Sequence, residues 1–158
     1  MRAYAAKSEN LQPRLRVAAY VLRQREAFWD LLVFEQAGQP GAGLQVPAGG
    51  VHPGESLVAA VLREVGEETG LHAVAIGQPV AVEDKPHPVT GQPRRTTYFV
   101  AHVDRDTPDG WEHRVSGDDG DAGMVFVCRF MPLPLRQALA DDQDRWLGEI
   151  DPANNSAG

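Results

Sequence analysis

Gly49 to Leu71 reads GGVHPGESLVAAVLREVGEETGL. Gly54 or Ser56 offers a helix start, with Glu55 in the first turn. Gly70 suits the left-handed position that ends a helix. The spacing therefore predicts a helix over 55–69. At 100° per residue, Val58, Val61, Leu62 and Val65 make one apolar stripe. Glu64, Glu67 and Glu68 stand at i, i+3 and i+4 and share an adjoining face.

That acidic face is unfavourable on a free helix. Each like-charge neighbour costs about 0.2–0.5 kcal/mol. The negative end of the helix dipole disfavours each anion by a further ~0.3–1 kcal/mol. Arg63 is the nearest cation and is expected to project to a different side. A cation from outside the helix is needed. Carboxylates with few other donor types suit a hard divalent ion, Mg²⁺ first and Mn²⁺ as substitute. For an isolated E-x-x-E-E, a solvated helix face is the plainer reading. The residues around this one change that.

The stretch resembles the Nudix box, G-x5-E-x7-R-E-U-x-E-E-x-G-U, where U is a bulky aliphatic residue. Gly49, Glu55, Arg63, Glu64, Val65, Glu67, Glu68, Gly70 and Leu71 fill its defined positions. The resemblance implies α/β architecture: the Nudix α/β/α sandwich with a mixed β-sheet. It implies a metal-dependent hydrolase that cleaves the diphosphate bond of a nucleoside diphosphate linked to another group. Glu64, Glu67 and Glu68 would be catalytic metal ligands, and the Ala48 carbonyl a further ligand. Gly49, Glu55, Arg63 and Gly70 would support the site. The partner is a small nucleotide-type substrate, and a homodimer stays open.

Outside the box, Arg94 and Arg95 suit bidentate phosphate contacts. Trp111 lies where Nudix proteins often carry a base-stacking ring. If residues 111–115 are extended, Trp111, His113 and Val115 share one face. Packing of that face leaves Glu112 to a polar space, as an accessory catalytic carboxylate. Asp118, Asp119 and Asp121 compete for that role. Pro86, about fifteen residues past the box, and the run Val46-Pro47-Ala48-Gly49 look like the ADP-ribose pyrophosphatase branch. Modified nucleoside triphosphates and dinucleoside polyphosphates are the alternative substrates. A non-catalytic nucleotide-ligand sensor is a separate alternative, although such domains generally lose box carboxylates. An isopentenyl-diphosphate isomerase relative needs a poised cysteine, and Cys128 sits in an apolar strand.

A chain of 158 residues with 42% hydrophobic content is long enough for one domain with its own core. That domain is expected over 14–150, with a loose arm at 1–13 and a disordered tail at 151–158. Strands are expected at 15–22, 28–34, 44–47, 72–82, 96–103, 111–115 and 124–130, and helices at 135–140 and 141–147. No apolar run is long enough to span a membrane, and the first residues lack a signal-peptide core. One cysteine permits no internal disulfide, which fits a cytoplasmic location. Zinc is disfavoured by the lack of paired His or Cys spacing. The net charge of −7 argues against duplex nucleic acid. It leaves a small phosphate ester open, because a bound metal can supply positive charge.

Overall fold

The computed structural model describes residues 12–117 and 120–150. Most of the expected arm, the tail 151–158, Asp118 and Asp119 lie outside the described residues. The chain runs β1 (Arg14–Arg25), β2 (Phe28–Gln36), a 3-10 turn (Pro40–Ala42), β3 (Ala48–Gly50) and α1 (Leu57–Thr69). It continues with β4 (Ala75–Asp84), β5 (Arg94–His102), β6 (Gly110–Arg114), β7 (Val125–Pro132) and a 3-10 segment (Ala140–Glu149). The strands form one seven-stranded sheet in the order β4-β5-β1-β2-β7-β6, with β3 paired to β1. β1 and β5 are parallel and the remaining pairs antiparallel, so the sheet is mixed.

β1 organises both layers. Val17, Ala19 and Val21 face one side with Leu32, Phe34, Phe99 and Ala101, and pack on Val61 and Val65 of α1. Ala18, Tyr20 and Leu22 face the other side with Leu31, Val33, Tyr98 and Val100, and pack on Leu139, Trp146 and Leu147. A strand covered on both faces needs apolar residues at successive positions. That is why β1 and β2 read as near-continuous runs rather than strict alternation.

Three expected elements differ. Residues 44–47 make only an isolated bridge, Phe34 to Gln45, and the ladder with β1 begins at Ala48. Pro47 has no N–H to give; its carbonyl accepts from Ala19 N at 2.9 Å. β4 starts and ends later than expected, and its register breaks on either side of Pro79. The helical stretch expected over 135–140 and 141–147 is not α-helix: the first part, preceded by Pro132 and Pro134, buries Leu139 as a plug, and the second is a 3-10 segment in which Asp141 and Asp142 both take φ of 53°. That left-handed pair cannot belong to an α-helix. Tyr20 OH donates to the Gln143 carbonyl, and Val46 N donates to Gln143 Oε1 at 2.9 Å, which ties the segment to the sheet. Among the described residues no helix is long and apolar enough to cross a membrane.

Candidate active site at the junction of β3 and α1

Ser56 Oγ accepts from Ala59 N at 3.1 Å and fixes the start of α1 at Leu57, two residues later than expected. Glu55 stays outside the helix. At the other end Gly70 has φ of 78° and its N–H bonds the Gly66 carbonyl. A Cβ there would stand 2.8 Å from His113 Nδ1, so both conformation and space require glycine. β6 satisfies the last carbonyls of the helix. Trp111 Nε1 donates to Thr69 O at 2.7 Å, His113 Nε2 to Glu67 O at 3.0 Å, and Ser116 N to the same oxygen at 3.1 Å. Trp111 is thus engaged with the helix end and with Phe130, 6.0 Å between ring centroids, rather than presented for base stacking.

The buried face of α1 is rotated from the apolar stripe. Val61 and Val65 are fully buried, but Val58 is 47% and Leu62 38% exposed. Glu64 and Glu68 take their place against the sheet, at 3% and 5% exposure. Periodicity counts carboxylates as solvent-facing, and here two of them face β3. Glu68 Oε1 accepts from Ala48 N at 2.9 Å. A Cβ on Gly49 would lie 2.2 Å from Glu64 Oε1. The glycine leaves the space that the Glu64 carboxylate fills. Glu67 is half-buried beside Gly117, whose added Cβ would be 2.5 Å from its carboxyl carbon.

Arg63 does not turn away from this cluster. Its Nη1 reaches Glu64 Oε1 at 2.7 Å and Glu67 Oε2 at 3.2 Å. Its Nε and Nη2 grip Glu55 at 2.8 and 3.0 Å, and Nη2 also donates to Gly50 O at 2.8 Å. The guanidinium is a hub that ties the loop before the helix to the acidic face. Glu55 feels it most: the Arg63 hydrogen bond, aided by the His52 amide, lowers its pKa to about 2.

One guanidinium serves three carboxylates, and Glu68 is not among them. Burial first, and then the Glu64 charge, hold the Glu68 carboxyl well above the usual carboxylate range. A cation beside Glu64 and Glu68 would reverse that balance. Among the described residues no three acidic or histidine side chains form a closed metal cage. Glu64 at the edge of an open cleft, with Glu68 buried close to it, fits Mg²⁺, which binds through one or two carboxylates, substrate phosphates and retained waters.

The cleft, about 440 Å³, is lined by Ala48, Gly49, Glu64 and Asp121 and by Arg14, Arg16 and Arg94. Arg94 lines this cleft, braced by Asp141 at 2.9 Å and by the Lys85 and Pro86 carbonyls. Arg95 is not; its side chain points to the opposite face of β5 and is exposed, paired with Asp84 at 2.8 Å. Glu112 is also corrected. Trp111 and His113 face α1, so alternation turns Glu112 to the opposite, exposed face of the sheet. Asp121, the one of the three competing aspartates among the described residues, lines the cleft. Cys128 is buried, its thiol pushed up to about 12 by burial, and is no nucleophile. Arg14 and Arg16 were not singled out by sequence. Their i, i+2 spacing on a strand that pairs with a glycine run was the available signal.

A family model described as NUDIX domain matches residues 12–149. The chain belongs to the Nudix family. It is a Nudix hydrolase, an enzyme acting on phosphoanhydride bonds. Similar solved structures include a NUDIX hydrolase from Nitrosomonas europaea, 26% identical, covering 85% of this chain and 76% of that one, with a TM-score of 0.51. The NUDIX domain of Shewanella oneidensis NrtR, complexed with ADP ribose, is 16% identical, covers 94% of each chain and has a TM-score of 0.64. A MutT NUDIX hydrolase from Burkholderia pseudomallei is 22% identical, over 89% of this chain and 99% of that one, with a TM-score of 0.59. The last two show the shared fold. No curated protein matches the sequence.

Proposed function

We propose that this Nudix hydrolase uses Mg²⁺, with Mn²⁺ as substitute, to cleave the diphosphate bond of a nucleoside diphosphate linked to another group. The observation that carries the reading is the burial of Glu64 and Glu68 side by side against the Ala48–Gly49 strand. Two carboxylates in that position raise each other's energy unless a cation joins them. Glu64 and Glu68 would hold the ion, with the Ala48 carbonyl as a further oxygen donor. A bound divalent ion polarises phosphoryl oxygens and lowers the pKa of attacking water. Arg63 fixes the rotamers of Glu64 and Glu67 through its Glu55 and Gly50 anchors. Glu67 and Asp121 are the carboxylates positioned to take the water proton. Water attacks one phosphorus, the bridging oxygen leaves with the other phosphate, and the proton passes to the carboxylate.

The substrate reading puts ADP-ribose-like compounds first, on the run Val46 to Gly49 and on Pro86, whose carbonyl braces Arg94 in the cleft. The NrtR domain that shares this fold was crystallised with ADP ribose, which makes that compound the first arm of the test. The panel adds a modified nucleoside triphosphate and a dinucleoside polyphosphate, each assayed after chelation and again with Mg²⁺ or Mn²⁺. Metal-restored release of AMP and ribose 5-phosphate from ADP-ribose supports the reading. Full turnover in chelator overturns the metal role. Tight binding without cleavage of any compound returns the protein to the sensor alternative.

A further inference from the structure

The two glycines of β3 open onto opposite charges. An added Cβ at Gly49 meets the Glu64 carboxylate, whereas one at Gly50 would lie 2.5 Å from Arg14 Nη2. Arg16 pairs across β1 and β3 with Gly50, and Arg14 stands two residues earlier on the same face. Arg94 lies opposite Arg14 on β5. The cleft therefore has an acidic wall and a basic wall with a glycine edge between them.

The basic wall is poorly balanced from within. Arg94 has Asp141. Among the described residues the Arg14 and Arg16 side chains make no hydrogen bond or ion pair; Arg14 is held through its backbone N–H, which donates to Pro93 O at 2.9 Å. Arg16 is half-buried; burial first and then the Arg94 charge pull its pKa down, Asp141 opposes them in part, and Arg14 adds to the pull. Long cationic side chains normally leave such crowding for solvent. A mid-strand arginine facing a recess cannot do so fully. Asp141 and Glu68 act on Arg16 only at a distance, without a hydrogen bond to its guanidinium, and a guanidinium pair matches phosphate oxygens in fork geometry.

We propose that Arg14 and Arg16 form a phosphate recess that holds the part of the substrate's phosphate chain not bound by the metal, and so select for chains of two or more phosphates. The inference rests on the proposed hydrolase reading for its biological sense, but its binding chemistry is separable. With Glu64 and the arginines Arg14 and Arg16 lining one cleft, and Gly49 and Gly50 between them, a phosphoanhydride bond would span the glycine edge.

The test uses the full chain and inorganic phosphate, pyrophosphate and tripolyphosphate as probes, in chelator, by calorimetry. In chelator only the arginine side acts, so tripolyphosphate, the most charged probe, is expected to bind most tightly and phosphate most weakly; replacing chelator by Mg²⁺ should widen the margin of pyrophosphate over phosphate. Arg14→Gln and Arg16→Gln should each weaken tripolyphosphate binding by about 10-fold or more, the worth of a charge-assisted contact. Arg16→Lys should recover part of that loss. Arg95→Gln, outside the cleft, should bind as wild type. Unchanged binding in both glutamine variants overturns the proposal, and so does equal weakening by Arg95→Gln, which would mark bulk charge alone. Arg14→Gln keeps the test sound if Arg16→Gln does not fold, since Arg14 is exposed. With a substrate that turns over, either glutamine variant should raise KM about 10-fold with little change in kcat. A fall in kcat at unchanged KM contradicts the recess. Should no panel compound be cleaved while tripolyphosphate binding still depends on Arg14 and Arg16, the hydrolase reading fails and the recess stands.

Discussion

The backbone N–H of Ala48 donates to Glu68 Oε1 at 2.9 Å, across the junction of β3 and α1. The bond joins a strand that carries no side chain beyond Cβ to a carboxylate that is 5% exposed. It consumes one lone pair of one oxygen and so positions the other oxygen without neutralising the group. Packing here aims a charge, whereas elsewhere on α1 it buries valines.

Glu68→Gln keeps an oxygen for the Ala48 amide and removes the charge. Turnover with Mg²⁺ should fall by about 100-fold or more, since second-shell losses alone reach 10–100-fold. Without metal the variant should melt at or above the wild-type temperature, because a buried carboxyl no longer has to ionise. The pH dependence has a definite sign. The folded pKa of Glu68 lies above its ordinary 4.5, so its ionisation destabilises metal-free wild type as pH rises above 4.5. The variant should lack that decline. Differential scanning fluorimetry with and without Mg²⁺ reads both effects; a Mg²⁺-induced rise as large as wild type's would remove Glu68 from the metal site.

Gly49→Ala tests the space rather than the charge. The new methyl would sit 2.2 Å from Glu64 Oε1, and the flexible end of Glu64 is what must move. The fold should survive, with an unchanged circular dichroism spectrum, while kcat drops by about 10-fold or more, as when a catalytic group is misplaced by 1 Å. An active Gly49→Ala would show that Glu64 needs no fixed position.

The face of α1 predicts a contrast between two apolar residues. Val65 is fully buried between α1 and the sheet, and Leu62 is 38% exposed. Val65→Ala should cost about 1.5–3 kcal/mol of stability, from lost burial and the cavity left behind. Leu62→Ala should cost under about 1 kcal/mol. Urea titrations of the two variants measure the difference, and equal losses would place Leu62 in the core.

Much of this was legible in the sequence. The box spacing located α1, its C-terminal glycine and the glutamate cluster, because caps and turns are local. Strand β5 and the β1–β2 hairpin were visible in their β-branched and aromatic runs. The rotation of α1 was not, because a hydrophobicity pattern cannot record that Glu64 and Glu68 face inward. The direction of Arg63 depended on Glu55 and the Gly50 carbonyl, which only the folded loop brings near. Glu112 followed the correct alternation to the wrong face: Trp111 and His113 pack on α1, the same side as the cluster. The arginines of β1 became visible only when β3 was set beside them.

Glu55 and Arg63 give the last prediction. The Glu55 pKa falls from 4.5 to about 2 because Arg63 donates two hydrogen bonds to its ionised form and His52 N donates a third at 3.0 Å. A carboxyl whose folded pKa is depressed stabilises the fold above its unfolded pKa, and that contribution disappears as pH falls through the folded value. The Glu55 contribution is therefore complete above about pH 4.5 and lost towards pH 2. Glu55→Gln should lower the melting temperature at pH 7 by about 3–8 °C, from the worth of charged hydrogen bonds spread over a domain of this size. The gap to wild type should narrow from pH 4.5 downward and close near pH 2. Activity should fall as well, because Arg63 loses the anchor that holds it against Glu64 and Glu67. Paired thermal melts from pH 7 to pH 2 decide it: a gap that stays constant across that range would mean that the Glu55–Arg63 pair contributes through shape and not through charge.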